Sequence, residues 1–143
     1  MLKKKYAYYM GIDPGTHTGL AVWDAEADEF SYVETFAIHR AFEFIITRWS
    51  PRFSPGFLLV RLEDARQVRF KTKKERVQGA GSVKRDVEIW IEFLEDYKIP
   101  YELVRPDKKV TKWSMPLFTH MTGWARACSQ HARDAAMLVY KIE

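Results

Sequence analysis

Cysteine is nearly absent. Cys128 is the only one in 143 residues, so no intrachain disulfide can staple the fold, and a reducing, cytoplasmic setting is expected, in a bacterial cell or in the host of a phage. Long apolar runs are missing too: none approaches the roughly 18 residues of a membrane span, and no membrane partner is expected. Three lysines at positions 3–5 carry the charge of a signal peptide, but the apolar stretch over residues 6–10 is too short to complete one. Glycine (seven) and proline (six) are scarce in a chain that is 47% hydrophobic and 15% aromatic, which excludes disorder and low complexity. There is no internal repeat and no Gly-Lys-Ser or Gly-Lys-Thr phosphate loop. What remains is one domain over residues 1–143, long enough to bury a single core without a disulfide or a metal.

Acidic residues are scarce in one place. The net charge is +4, but residues 66–85 hold Arg66, Arg69, Lys71, Lys73, Lys74, Arg76, Lys84 and Arg85 against Glu75 alone, so that stretch is +7 and the rest of the chain is −3. A solvated face mixes signs, whereas a one-sided run points to a polyanion, and nucleic acid is the reading. Arg105, Lys108, Lys109 and Lys112 form a second basic cluster. Phe70, among the cations of the first, is a candidate for stacking on an unpaired base or for packing on the domain.

Periodicity outlines the elements. Residues 6–12 and 20–23 read as two apolar strands of a hairpin, turned by Pro14 with Gly15 and Gly19, both free to take positive φ. Residues 30–36 alternate apolar and polar and complete a three-stranded meander. Phe42, Ile45, Ile46 and Trp49 have helical spacing over residues 41–49, and residues 57–60 form the continuous apolar run of a central strand. The basic stretch reads as a loop that runs through Gly79-Ala80-Gly81 to Ser82, the N-cap of a helix of about 15 residues. Its apolar positions Val83, Val87, Trp90, Ile91, Leu94 and Tyr97, widened by Ile89 and Phe93, need more than one partner; a second copy could supply it, or one core could bury them all. Residues 101–104 form a strand, so strand, helix and strand suggest a crossover. Pro116 and Gly123 interrupt any helical pattern over residues 115–124, which stay unassigned. Ser129 caps a last helix from about Gln130 to the C-terminus.

Four residues at element ends carry the candidate chemistry. Asp13 stands where the first strand breaks into Pro14-Gly15, and Glu63 stands with Asp64 at the end of the central strand. His131 and Asp134 are three apart at the start of the last helix and project from one face. Alone, each is a turn, cap or surface residue. Together, three carboxylates suit hard divalent ions, with histidine as a possible nitrogen ligand, and two Mg²⁺ ions about 4 Å apart would stabilise both ends of an in-line phosphodiester displacement.

Gly11-Ile12-Asp13-Pro14-Gly15 with Thr18-Gly19, then Leu62-Glu63, then His131-Ala132-Arg133-Asp134-Ala135, resemble in motif and order the RuvC Holliday-junction resolvases of the RNase H-like superfamily. Gly79-Ala80-Gly81 before the long helix is also similar. The resemblance spans residues 11–135 and implies an α/β fold, a mixed five-stranded sheet flanked by helices. It further implies a homodimer and a Mg²⁺-dependent endonuclease, with Mn²⁺ as the expected substitute, acting on four-way junctions and other branched DNA. Asp13, Glu63 and Asp134 would be its metal-binding catalytic carboxylates. His131 occupies a position where many members carry an acid, and would be a ligand or a proton-transfer group. The short chain suggests a phage-type or divergent resolvase. Other readings are a YqgF-type RNA-processing nuclease, which shares an opening Asp and turn of this kind, and a nucleic-acid-binding protein that does not cleave. The actin-like and sugar-kinase group needs two such domains around a nucleotide.

Overall fold

A computed structural model describes residues 6–49, 56–67, 73–106 and 112–142, and for residues 73–81 and 83 it describes the backbone only. Strands β1 (Tyr8–Asp13), β2 (His17–Asp24) and β3 (Glu29–Ala37) form the antiparallel meander that the alternation predicts. After helix α1 (Ile38–Trp49), β4 (Leu58–Glu63) enters beside β1 and parallel to it; α2 (Lys73–Asp96) then crosses over to β5 (Tyr101–Val104), parallel to β4. The sheet is mixed and five-stranded, in the order β3-β2-β1-β4-β5. Helices α3 (Met115–Thr122) and α4 (Gln130–Met137) complete the chain. No helix among the described residues is long and apolar enough to cross a membrane.

The two-residue period of the strands splits the interior into two cores. Met10, Ile12, Leu20, Val22, Val60 and Leu62 point to the face covered by α1 and α2, where Trp90 and Phe93 pack on Phe42 with ring centroids 4.6 and 4.5 Å apart. Tyr9, Ala21, Trp23, Phe30 and Val33 point the other way, against Phe118 of α3 and Ala132, Ala135 and Ala136 of α4. Among the described side chains of α2 the buried ones are Val87, Trp90, Phe93 and Leu94, while Ile89 is 38% exposed and Tyr97, just past the end of the helix, is 44% exposed. Tyr97 therefore lies off the buried face that its spacing suggested.

Several boundaries depart from the sequence reading: β2 begins at His17 rather than 20 and α1 at Ile38 rather than 41, and larger departures occur further along the chain. The helix α2 begins at Lys73, so Gly79-Ala80-Gly81 and Ser82 lie inside it and Ser82 is no N-cap. Lysine, glutamate, arginine and glutamine are strong helix formers, and they outweigh two glycines that each cost about 1 kcal/mol. Residues 115–122, which had no assignment, form α3: Pro116 sits in its first turn, where no donor is needed, and Gly123 closes it in the left-handed region at φ 78°. Ser114 accepts from Leu117 N as the N-cap. The two supposed breakers are thus the two ends of one helix. Finally, α4 stops at Met137 with Leu138 as its C-cap rather than continuing to the C-terminus.

Two glycines set how closely α4 lies on the sheet. A Cβ on Gly11 would stand 2.0 Å from the carbonyl oxygen of Ala135, and one on Gly19 would stand 1.9 Å from that of His131. Any side chain there would push the helix off β1 and β2. Gly19 is consequently not a turn glycine. It pairs with Asp13 inside the β1–β2 ladder, has no positive φ, and is there for close approach.

Candidate active site

Because β1 and β4 run parallel, their C-terminal ends open on one edge of the sheet, with Ile12 opposite Leu62 in the last paired position. The next residue of each strand, Asp13 or Glu63, projects on the α4 face. Thr18 Oγ1 donates to Gly15 O at 2.8 Å and holds the turn beyond Asp13. The first turn of α4 arrives above this edge, capped by Ser129, whose hydroxyl accepts from Ala132 N at 3.2 Å and touches Thr35 Oγ1 of β3.

The four candidate residues converge there. His131 Nδ1 lies 3.2 Å from Asp13 Oδ2. Gln130 Nε2 donates to Asp134 Oδ1 at 2.7 Å, and Lys112 Nζ lies 3.3 Å from Asp134 Oδ2. Asp13, Glu63, His131 and Asp134 line a cavity of about 540 Å³ together with Arg61, Arg105 and Lys112, and its apolar wall includes Val104, Pro106, Met137 and Leu138.

The carboxylates perturb one another. Burial pushes the Glu63 carboxyl up to about 7, helped by the charge of Asp13, their shared hydrogen bond and the charge of Asp134; Lys112 opposes the shift. Burial also raises Asp13, against the hydrogen bonds from His131 and Glu63 that lower it. Glu63 therefore changes its protonation around neutral pH, because the site gathers more negative charge than it can carry unaided. Among the described residues, no three His, Cys, Asp or Glu side chains close on a common point tightly enough to hold an ion as they stand. The two observations are compatible: like charges repel across a cavity, whereas Mg²⁺ needs oxygens at about 2.1 Å. The donor set fits a hard divalent cation in chemistry, and both oxygens of Asp134 are engaged by Gln130 and Lys112.

Asp64 belongs elsewhere. It is buried and makes a two-pronged ion pair with Arg66, Nε to Oδ1 at 2.7 Å and Nη2 to Oδ2 at 3.0 Å, which holds its carboxyl below the usual range. Arg66 thus fastens the turn after β4, and much of its charge is neutralised. Lys84 and Arg85 are exposed on α2, with Lys84 4.0 Å from Glu88. Arg69, Phe70, Lys71, Lys108 and Lys109 lie outside the described residues, and so do the side chains of Lys73, Lys74 and Arg76.

Two neighbours were not singled out from the sequence. Arg61 precedes Glu63 by two in a strand and so shares its face; its Nη1 donates to Leu138 O at 2.7 Å, tying β4 to the end of α4. Its Nε is 2.7 Å from Glu102 Oε1, a charge contact that is not aligned as a hydrogen bond. Gln130 precedes Asp134 by four on a helix and shares its face.

No protein-family model and no curated protein sequence matches the chain. Among solved structures, a Thermus thermophilus RuvC structure is similar at a TM-score of 0.64 and 17% identity, covering 93% of this chain and 91% of that one. T. thermophilus RuvC in complex with Holliday junction substrate is similar at a TM-score of 0.63 and 16% identity, covering 93% and 90%. At that identity sequence methods fail while the arrangement of strands and helices persists, and the resemblance read from three short motifs holds for the fold across nearly the whole chain: this protein is built on the RNase H-like fold of RuvC.

Proposed function

We propose that this chain is a divalent-metal-dependent endonuclease that cleaves four-way junctions or related branched DNA. The observation that carries the reading is the convergence of Asp13, Glu63 and Asp134, from two parallel strand ends and the body of α4, on one cavity also lined by Arg61, Arg105 and Lys112. An over-charged acid cluster next to cations is the electrostatic arrangement that phosphodiester hydrolysis requires. The neighbouring complex of T. thermophilus RuvC with a Holliday junction supports branched DNA as the substrate class.

Asp13, Glu63 and Asp134 are the residues that would hold Mg²⁺ or Mn²⁺. Bound there, the metal would neutralise charge on the attacking and leaving oxygens and acidify a water. Asp13 sits at the centre, hydrogen-bonded to both His131 and Glu63. His131 Nδ1 lies 3.2 Å from Asp13 Oδ2, and the tautomer with its hydrogen on Nδ1 would donate there and leave the Nε2 lone pair as a proton acceptor or a nitrogen ligand. Lys112 is 71% exposed and can exchange Asp134 for the scissile phosphate. The basic residues of the stretch 66–85, chiefly those beyond Arg66, would bind backbone phosphates away from the cut. The exposed Ile89 on α2 and Tyr97 just past its end support a homodimer through that helix, and two sites related by a two-fold axis suit cleavage of opposed strands.

The test is a Mg²⁺-supplemented cleavage assay on four-way, Y-shaped, linear-duplex and RNA substrates. Preferential nicking of the branched DNAs is expected. Preference for RNA would replace this reading with an RNA-processing nuclease, and binding without cutting would replace it with a binding protein.

A further inference from the structure

We propose that Gln130, braced by Arg133, is a positioning residue that fixes the rotamer of Asp134, an inference that rests on the nuclease reading above. Asp134 could turn about two bonds, and only one of its oxygens is needed toward the cavity. Gln130 does not line that cavity, yet its Nε2 meets Asp134 Oδ1 at 2.7 Å, leaving Oδ2 on the side of Lys112. The orientation of the Gln130 amide is itself determined. Its Oε1 accepts from Arg133 Nη2 at 3.1 Å, and a guanidinium has no acceptor, so the flipped amide would set two donors against each other and lose both bonds.

Arg133 is held in turn. Its Nε donates to Trp113 O at 2.9 Å and its Nη1 to Cys128 O, one from the residue beside Lys112 and one from the segment leading into α4. The chain of contacts runs from two backbone carbonyls through Arg133 and Gln130 to one carboxylate oxygen. It also ties the position of Lys112 to that of Asp134, because Trp113 follows Lys112 directly. Outer contacts of this kind on a ligating carboxylate change metal affinity or activity by about 10–100-fold when removed.

The test is Gln130→Met, which keeps length and removes the donor. The readouts are kcat and KM on a junction, Mn²⁺ binding by calorimetry, and melting temperature. The expected result is a kcat about 10–100-fold lower, Mn²⁺ affinity about tenfold weaker, KM unchanged and a melting point only a few degrees lower. In Arg133→Lys, the kcat should fall in the same direction. Combining it with Gln130→Met should cost less kcat than the product of the two single losses, because part of the effect of Arg133 runs through Gln130. Wild-type kcat and Mn²⁺ affinity in Gln130→Met would overturn the positioning role while the nuclease reading stands, and so would independent losses in the double variant. A wild-type protein that neither cuts nor binds Mn²⁺ would overturn the nuclease reading and this inference with it.

Discussion

Glu63→Gln should make the metal-free protein more stable while abolishing its proposed chemistry. Burial and the charges of Asp13 and Asp134 raise the Glu63 carboxyl from 4.5 to about 7. A shift of that size corresponds to about 3 kcal/mol at 1.36 kcal/mol per unit. Because the group is partly exposed and hydrogen-bonded to Asp13, roughly half of that, about 1.5 kcal/mol, is a realistic expectation. A folded-state value above the unfolded one means that the wild type keeps its full stability below about pH 4.5 and loses it as the pH rises through about 7. Glutamine carries no charge at any pH, and its amide donates to Asp13 as the protonated acid does. The variant should therefore melt about 3–6 °C above the wild type at pH 8. The two should converge near pH 4.5, and Mg²⁺ should narrow the gap at pH 8 by stabilising the wild type alone. Thermal melts across pH, with and without chelator, read all of this. A variant that melts at or below the wild type at pH 8, or a gap independent of pH, would show that the acid cluster is not under electrostatic strain.

Gly19→Ala places a methyl 1.9 Å from the His131 carbonyl and should cost about 3 kcal/mol, with loss of cleavage as α4 lifts from the sheet; a melt within a degree or two of wild type would contradict the close packing. The triple change Lys71→Ala, Lys73→Ala and Lys74→Ala should weaken junction binding and flatten its salt dependence by about 0.9 per lost phosphate contact; an unchanged slope would move the DNA surface to Arg105, Lys108, Lys109 and Lys112. Sedimentation should find a dimer that Ile89→Glu with Tyr97→Glu dissociates, and a monomeric wild type both free and bound to a junction would remove the proposed α2 interface.

The parts of the fold that follow from period and polarity were legible in the sequence. Alternation over residues 30–36, the apolar run ending at Glu63 and the strand at Tyr101–Val104 gave the meander and the crossover, because burial on one or two faces leaves its own period. Residues whose meaning depends on a partner distant in the chain were not legible. Gly19 looks like a turn glycine until α4 is laid across it, and Pro116 and Gly123 look like breaks until Ser114 shows that a helix lies between them. Asp13, Glu63, His131 and Asp134 were found as ends of elements, and the sheet brings them to one edge. Asp64 adjoins Glu63 in sequence, yet the strand period turns it to the opposite face, where Arg66 neutralises it. Lys112 read as part of a surface cluster; only the packing of the loop before α3 against α4 brings it to Asp134.

The most direct measurement is a paired assay of wild type and Asp13→Asn on one labelled four-way junction, recording binding in chelator and cleavage after Mg²⁺ is added. Asp13 lies 3.2 Å from His131 and shares the cavity with Glu63 and Asp134, so exchanging its charge for an amide should remove the centre of the cluster and leave the basic surfaces intact. The expected result is equal binding by both proteins, paired cuts by the wild type and none by the variant. Cleavage by Asp13→Asn at saturating Mg²⁺, at a rate near that of the wild type, would contradict the assignment of this acid cluster as a nuclease centre.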